Sequence, residues 1–315
     1  MSLADTDEED GAPGDEAQPR RRSSPATALR AQLRDIGDVF MPEEAEAPIL
    51  APNARGAVYE WLTEMRAADE LRAVGLKPRS SALLSGPPGC GKTTLAHHLA
   101  ARLGIPMVSV GQEHLMRPYL GEAEMQVGKL FKALEAAKTP ALLFIDEIDA
   151  LGRRRDKMGG SAASEGRVSV LTVLLRRVEQ HKGLLCAATN RPEDLDPALW
   201  RRFHMQIVID LPGEDERFAI LKRYSLPFQF ADADLDVLCA LTDGASPALL
   251  RGVMEGIKRA LVIGKRVGAD VSSAAAVLGR VVASLAPPPE IEPPPLWQGT
   301  MPKPGEMAWP PAVAA

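Results

Sequence analysis

Ser85-Gly86-Pro87-Pro88-Gly89-Cys90-Gly91-Lys92-Thr93-Thr94 fits the pattern G-x-x-x-x-G-K-[ST], a loop whose backbone cradles nucleotide phosphates. Its flanks decide the fold. Ala82-Leu83-Leu84-Ser85 before it is a short apolar run of buried-strand type, and Leu95, Leu99 and Leu103 after it recur at a helical period. Gly104 ends that helix and Pro106 prevents its return. A strand, a glycine loop and a helix N-terminus in that order form an anion site, because N–H groups and the positive helix end face the phosphates. Gly86 to Thr94 are therefore the candidate nucleotide-binding residues. Lys92 is assigned to the β/γ-phosphates and the Thr93 hydroxyl to Mg²⁺.

Composition sets the outer bounds. A chain of 315 residues is one large domain or two smaller ones, with ample material for a core. A net charge of -5 gives no general pull toward nucleic acid or an acidic membrane. Cys90, Cys186 and Cys239 are far apart and match no metal spacing, which points to reduced thiols. No apolar run approaches the ~20 residues of a membrane span, and the acidic start is unlike a signal peptide. The expected setting is cytoplasmic.

Residues 1–25 carry almost no apolar side chains and are expected to be disordered, with Arg20, Arg21 and Arg22 as a solvated basic run. A helical lead-in segment follows over 26–75, with Val58, Trp61, Leu62 and Met65 on one face. From 76 to 213, apolar strands alternate with amphipathic helices. The strand candidates after the phosphate loop are Met107–Val110, Ala141–Ile145, Leu184–Ala188 and Gln206–Ile209. That alternation predicts an α/β fold with a parallel sheet covered by helices on both faces. After Pro212-Gly213 only helical periods remain, giving a small all-helical lid over 214–286. Ser246 there is a good N-cap and Pro247 fits the first helical position. Residues 287–315 are proline-rich and are expected to form a disordered tail, in which Trp297 and Trp309 stand without a visible partner.

Three sites carry chemistry. Leu142-Leu143-Phe144-Ile145-Asp146-Glu147 is an apolar strand ending in two acids, which must emerge at its C-terminal edge. Asp146 would hold Mg²⁺ opposite Thr93, and Glu147 would polarise an attacking water as general base. Asn190, at the end of the Ala187-Ala188-Thr189 strand, can hydrogen-bond both that water and a γ-phosphate. Arg201 and Arg202 lie on an apolar-flanked turn and are either a surface pair or a source of an arginine acting in trans.

Taken together, Gly86 to Thr93, Phe144 to Asp149, Ala188-Thr189-Asn190-Arg191-Pro192 and Leu195-Asp196-Pro197-Ala198-Leu199 resemble the classical AAA clade of the AAA+ ATPases. The resemblance runs from about Leu71 to about Gly264. It implies a P-loop NTPase fold with a helical lid, ATP and Mg²⁺ as ligands, and a homo-oligomeric ring, usually a hexamer. It also implies that Arg201 or Arg202 acts on a neighbour's ATP and that the Asn190 strand lies between the phosphate-loop and Asp-Glu strands. Tyr119-Leu120-Gly121 resembles the clade's aromatic–hydrophobic–Gly pore loop, which grips a threaded polypeptide, and Gly152 to Gly160 falls where a second pore loop lies. Cys90 stands where threonine is more usual, His204 where aspartate is common, and Ala248 falls at the second sensor position, which carries no arginine. The chain contains no His-Glu-x-x-His, so any protease partner would be encoded separately, as would an adaptor. The expected activity is an ATP-hydrolysing ring motor that remodels or unfolds proteins by threading. The alternative is a nucleic-acid loader or branch-migration motor, favoured only by Arg20–Arg22 and Arg153–Arg155; a slow-hydrolysing scaffold fits the intact Asp-Glu pair least.

Overall fold

The computed structural model describes residues 25–33, 36–115, 121–137, 139–151 and 162–313. The expectations placed on residues 1–24, on Tyr119 and Leu120, and on the basic segment Gly152 to Gly160 lie outside the described residues.

Six strands, β1 Asp38–Phe40, β2 Ser81–Ser85, β3 Met107–Val110, β4 Leu142–Ile145, β5 Leu184–Thr189 and β6 Met205–Val208, form one sheet in the order β1-β3-β4-β5-β2-β6. β2 to β6 run parallel and β1 closes one edge antiparallel to β3. Alternate side chains of each central strand feed two separate cores. Ala82, Leu84, Leu142, Phe144 and Cys186 pack with the helices Pro52–Arg66 and Lys92–Arg102. Leu83, Leu143, Ile145, Leu185 and Ala187 pack with the helices Pro25–Leu33, Glu122–Ala136 and Ala162–Gln180. Burial on both faces is why these strands read as unbroken apolar runs. β6 departs from the expectation: Met205 and Ile207 are buried, while Gln206 and Val208 are exposed, as befits an edge strand.

The lead-in segment is not wholly helical. Between Pro25–Leu33 and Pro52–Arg66 it holds β1 and the one-turn helix Pro42–Glu44. A three-residue strand is too short to show a period of two, and its pairing with β3 is set by tertiary contact.

Leu211-Pro212-Gly213 leads into the helical domain, whose helices are Glu214–Ser225, Asp232–Leu241, Pro247–Ile263 and Ala274–Ser284. Ser246 Oγ accepts the Leu249 N–H at 3.3 Å and Pro247 occupies the first helical turn. Arg217 Nη1 donates to the Pro212 carbonyl at 3.0 Å and its Nη2 pairs with Asp243 at 2.9 Å, fixing the first of these helices to the connection.

The proline-rich segment is ordered against this domain, contrary to expectation. Leu296 is fully buried and Met307 nearly so, in the core built by Leu235, Leu238, Val253 and Leu278. Trp297 Nε1 donates to the Leu285 carbonyl at 2.6 Å, Trp309 Nε1 to the Val271 carbonyl at 2.9 Å, and the Ala308 N–H to Asp234 Oδ1 at 2.8 Å. β7 Phe228–Gln229 and β8 Ala312–Val313 pair antiparallel at its end. Prolines erase every helical or strand period, so isolated anchor residues carry the docking and leave no pattern to read.

Candidate nucleotide site

The site lies at the C-terminal edge of the parallel strands. Gly86 (φ 148) packs so closely on Ile209 that a Cβ there would collide with its carbonyl. A Cβ on Gly89 (φ 76) would meet Ser246 Oγ at 2.9 Å and Ala248 Cβ at 3.0 Å. These glycines let the loop run between the sheet and the helical domain. Gly91, at φ 85, caps the helix that begins at Lys92. Lys92 is buried, and its Nζ donates to the carbonyls of Gly86 and Pro87 at 2.8 Å each. Burial lowers its pKa from lysine's ordinary value, while Cys90, Asp146 and Asp149 act the other way. Burial also pushes the Cys90 thiol up to about 11, so it stays protonated near neutral pH.

The register brings the other strand ends alongside. Ser85 pairs with Thr189, so Gly86 and Asn190 leave neighbouring strands together, and Ile145 pairs with Ala187. Thr93 Oγ1 donates to Asp146 Oδ2 at 3.1 Å, while Asp146 Oδ1 accepts the Glu147 N–H at 2.9 Å. A hydroxyl and a carboxylate oxygen side by side are the hard oxygen donors that would suit Mg²⁺, so Thr93 and Asp146 are the residues that would hold it. Glu147 sits at φ 47, the only non-glycine with positive φ among the described residues. Such a conformation costs about 1–3 kcal/mol and is typically held at functional turns. The Glu147 side chain is exposed and lines the cleft, while the Asp146 carboxylate is held by Thr93 and the Glu147 N–H. Thr189 Oγ1 donates to Asp149 Oδ1 at 2.6 Å and accepts the Arg191 N–H at 3.0 Å, tying the residues that flank Asn190 to the helix that follows Glu147.

These groups line a cleft of about 470 Å³ whose far walls the motifs did not indicate. One wall is Glu46 to Ile49 from the lead-in segment; the opposite one is Ile220, Arg223, Tyr224, Ala248 and Arg251 of the helical domain. Tyr224 Oη donates to Glu46 Oε1 at 3.0 Å and Arg223 Nη1 to the Ala47 carbonyl, so the walls meet over the cleft. The Arg251 guanidinium lies 5.3 Å from the Tyr224 ring centre and bonds Glu255 at 2.8 Å. The Ala248 N–H donates to the Gly89 carbonyl at 3.1 Å, which docks the helical domain directly on the phosphate loop.

Residues 82–211 match the family described as ATPase family associated with various cellular activities (AAA). Over 260 residues the chain is 37% identical to the AAA family ATPase y4kL of Sinorhizobium fredii, covering 80% of this chain and 77% of that protein. The chain belongs to the AAA family of ATPases. As an AAA ATPase it binds nucleotide and hydrolyses ATP. It is also 36% identical to the proteasome-activating nucleotidase of Thermococcus onnurineus, over 67% of this chain and 56% of that one. With the ATP-dependent zinc metalloprotease FtsH 3 of Sphaerobacter thermophilus it shares 34% identity over 81% of this chain and 50% of the relative. The chain thus spans about half the length of these two relatives. The crystal structure of the FIGL-1 AAA domain in complex with ADP superposes with a TM-score of 0.61 at 24% identity, covering 79% of this chain and 85% of that one, a likeness of fold.

Two of the expected site residues of this AAA ATPase stand apart. Arg201 and Arg202 are exposed and line neither the cleft nor the adjoining opening beside Asn190. The Arg202 carbonyl accepts from Ser81 Oγ at 3.3 Å, and His204 bonds the same hydroxyl, so both arginines sit at the start of β6. The cleft lies at the other end of the parallel strands, about 13 Å away at roughly 3.3 Å per residue. Arg202 Nη2 meets Glu179 at 3.4 Å. Of the Tyr119-Leu120-Gly121 stretch only Gly121 is described; at φ 84 it precedes the helix Glu122–Ala136.

Proposed function

We propose that this AAA ATPase works as a homo-oligomeric ring, a hexamer, that remodels or unfolds protein substrates by threading them through its centre. The observation that carries the ring is the split of its catalytic set. Lys92, Thr93, Asp146, Glu147 and Asn190 converge at one edge of the sheet, whereas Arg201 and Arg202 lie at the other, away from this chain's own cleft and free of it to serve a neighbour's. In this scheme the loop N–H groups and Lys92 hold the phosphates, Asn190 contacts the γ-phosphate, and Glu147 takes the proton of the attacking water. Thr93 and Asp146 hold Mg²⁺, which when bound offsets charge on the phosphate oxygens. Arg201 or Arg202 stabilises charge on the transferring phosphoryl group in the adjacent subunit.

Threading is supported by Tyr119-Leu120-Gly121, where an aromatic beside glycine can grip side chains without reading sequence. Relatives named as a proteasome-activating nucleotidase and an ATP-dependent zinc metalloprotease also support it, and they motivate a separately encoded protease or adaptor as partner. Three free, buried cysteines support a reducing, cytoplasmic setting. Among the described residues no helix is long and apolar enough to cross a membrane. The test is steady-state ATP turnover of wild type and Tyr119→Ala with and without an unfolded model protein. Stimulation of wild type alone is expected. Stimulation by DNA only, equal in both proteins, would replace threading with a nucleic-acid motor.

A further inference from the structure

The C-terminal segment reaches back to the catalytic edge. Beside the main cleft is a second opening that shares Pro88, Glu147 and Asn190 with it and adds Pro288 and Glu290 from this segment. Glu290 Oε1 stands 4.0 Å from Arg191 Nη2, both side chains about half exposed. Arg191 directly follows Asn190, and its N–H is tied through Thr189 Oγ1 to Asp149, two residues beyond Glu147. A line of contacts therefore runs from the Glu147 turn, past Asn190, to the helical domain.

The two ends of the segment are held very differently. Leu296, Met307 and both indole N–H groups fasten its far part to the helical domain, so the segment moves with that domain. The Glu290 end is a single exposed pair, of the kind that breaks and reforms readily. We infer that Glu290 is a positioning residue: carried by the helical domain, it engages Arg191 on closure over the cleft and so couples closure to the placement of Asn190. This rests on Asn190 being the γ-phosphate contact. The coupling is reciprocal, so a nucleotide that holds Asn190 also favours closure.

The test measures ATP KM and kcat, and the release rate of fluorescent ADP, for Glu290→Lys, Arg191→Glu and the double charge swap at low and high salt. Glu290→Lys is expected to raise KM and speed ADP release by about two- to fivefold, the range of an exposed ion pair. The change should fade at high salt and be largely reversed in the swap. ADP release reports even where Arg191→Glu has lost turnover. A wild-type response of Glu290→Lys at low salt, or a change that neither salt nor the swap alters, overturns the coupling. Asn190→Ala separates the two levels. Intact turnover in that variant overturns both the γ-phosphate contact and the coupling, whereas lost turnover beside a silent Glu290→Lys overturns the coupling alone.

Discussion

The two ends of the nucleotide cleft are built on different physical principles. At the phosphate end, Lys92, Asp146, Glu147 and Asn190 project from a loop and strand termini whose neighbours Leu84, Ile145 and Ala188 are wholly buried. Backbone pairing fixes these groups, and the left-handed Glu147 is held there by its surroundings. At the other end, the lead-in segment and the helical domain meet through side chains: Tyr224 on Glu46 and Arg223 on the Ala47 carbonyl, with Arg251 packed over Tyr224 within the helical domain. Each such contact is worth on the order of 1 kcal/mol. A rigid end suits chemistry that needs preorganised groups, and a clasp of weak contacts suits an end that opens for exchange.

Substitutions at the two ends should therefore differ in kind. Glu147→Gln is expected to lower turnover by about 10²–10⁴-fold, the range of a general base, while fluorescent ATP still binds; equal loss of binding would place Glu147 in substrate binding instead. Leu296→Ala should destabilise the helical domain by about 2–5 kcal/mol through the cavity it leaves. Thermal unfolding followed by Trp297 and Trp309 fluorescence checks this, and an unchanged transition would mean the segment is not anchored there. Tyr224→Phe removes only the bond to Glu46, worth about 0.5–1.5 kcal/mol. It should raise the ATP KM by a few-fold with kcat near wild type, and a fall in kcat instead would give the clasp a chemical role. Cys90→Ser should leave both constants near wild type, because the protonated, buried thiol does no chemistry. Rapid alkylation of Cys90 near neutral pH would contradict that.

The same division explains what the sequence revealed. The phosphate loop, the Asp146-Glu147 edge and Asn190 were legible because each is a local pattern whose residues must be consecutive: glycines where the chain passes Ile209 and Ser246, acids where an apolar strand ends. Even the position of β5 between β2 and β4 accords with that resemblance. The clasp was not legible, since Glu46, Tyr224 and Arg251 are far apart in the chain and ordinary in their local context. β1 escaped because three residues show no period, and the C-terminal segment because its anchors Leu296, Trp297, Met307 and Trp309 are separated by prolines and turns. Long-range closure leaves little trace in local spacing. Ala248 carries no arginine side chain into the cleft, and its backbone N–H, bonded to the Gly89 carbonyl, makes a contact that no local pattern indicates.

The central claim is that one chain holds an incomplete site, finished by an arginine from its neighbour. Mixing Glu147→Gln with an Arg201→Ala, Arg202→Ala double variant tests it most directly. Each protein alone should be inactive, but a mixed ring places an intact Glu147 beside intact arginines. The account predicts that ATP turnover reappears on mixing, and turnover no greater than the sum of the separate variants, in a mixture shown to co-assemble, would contradict it.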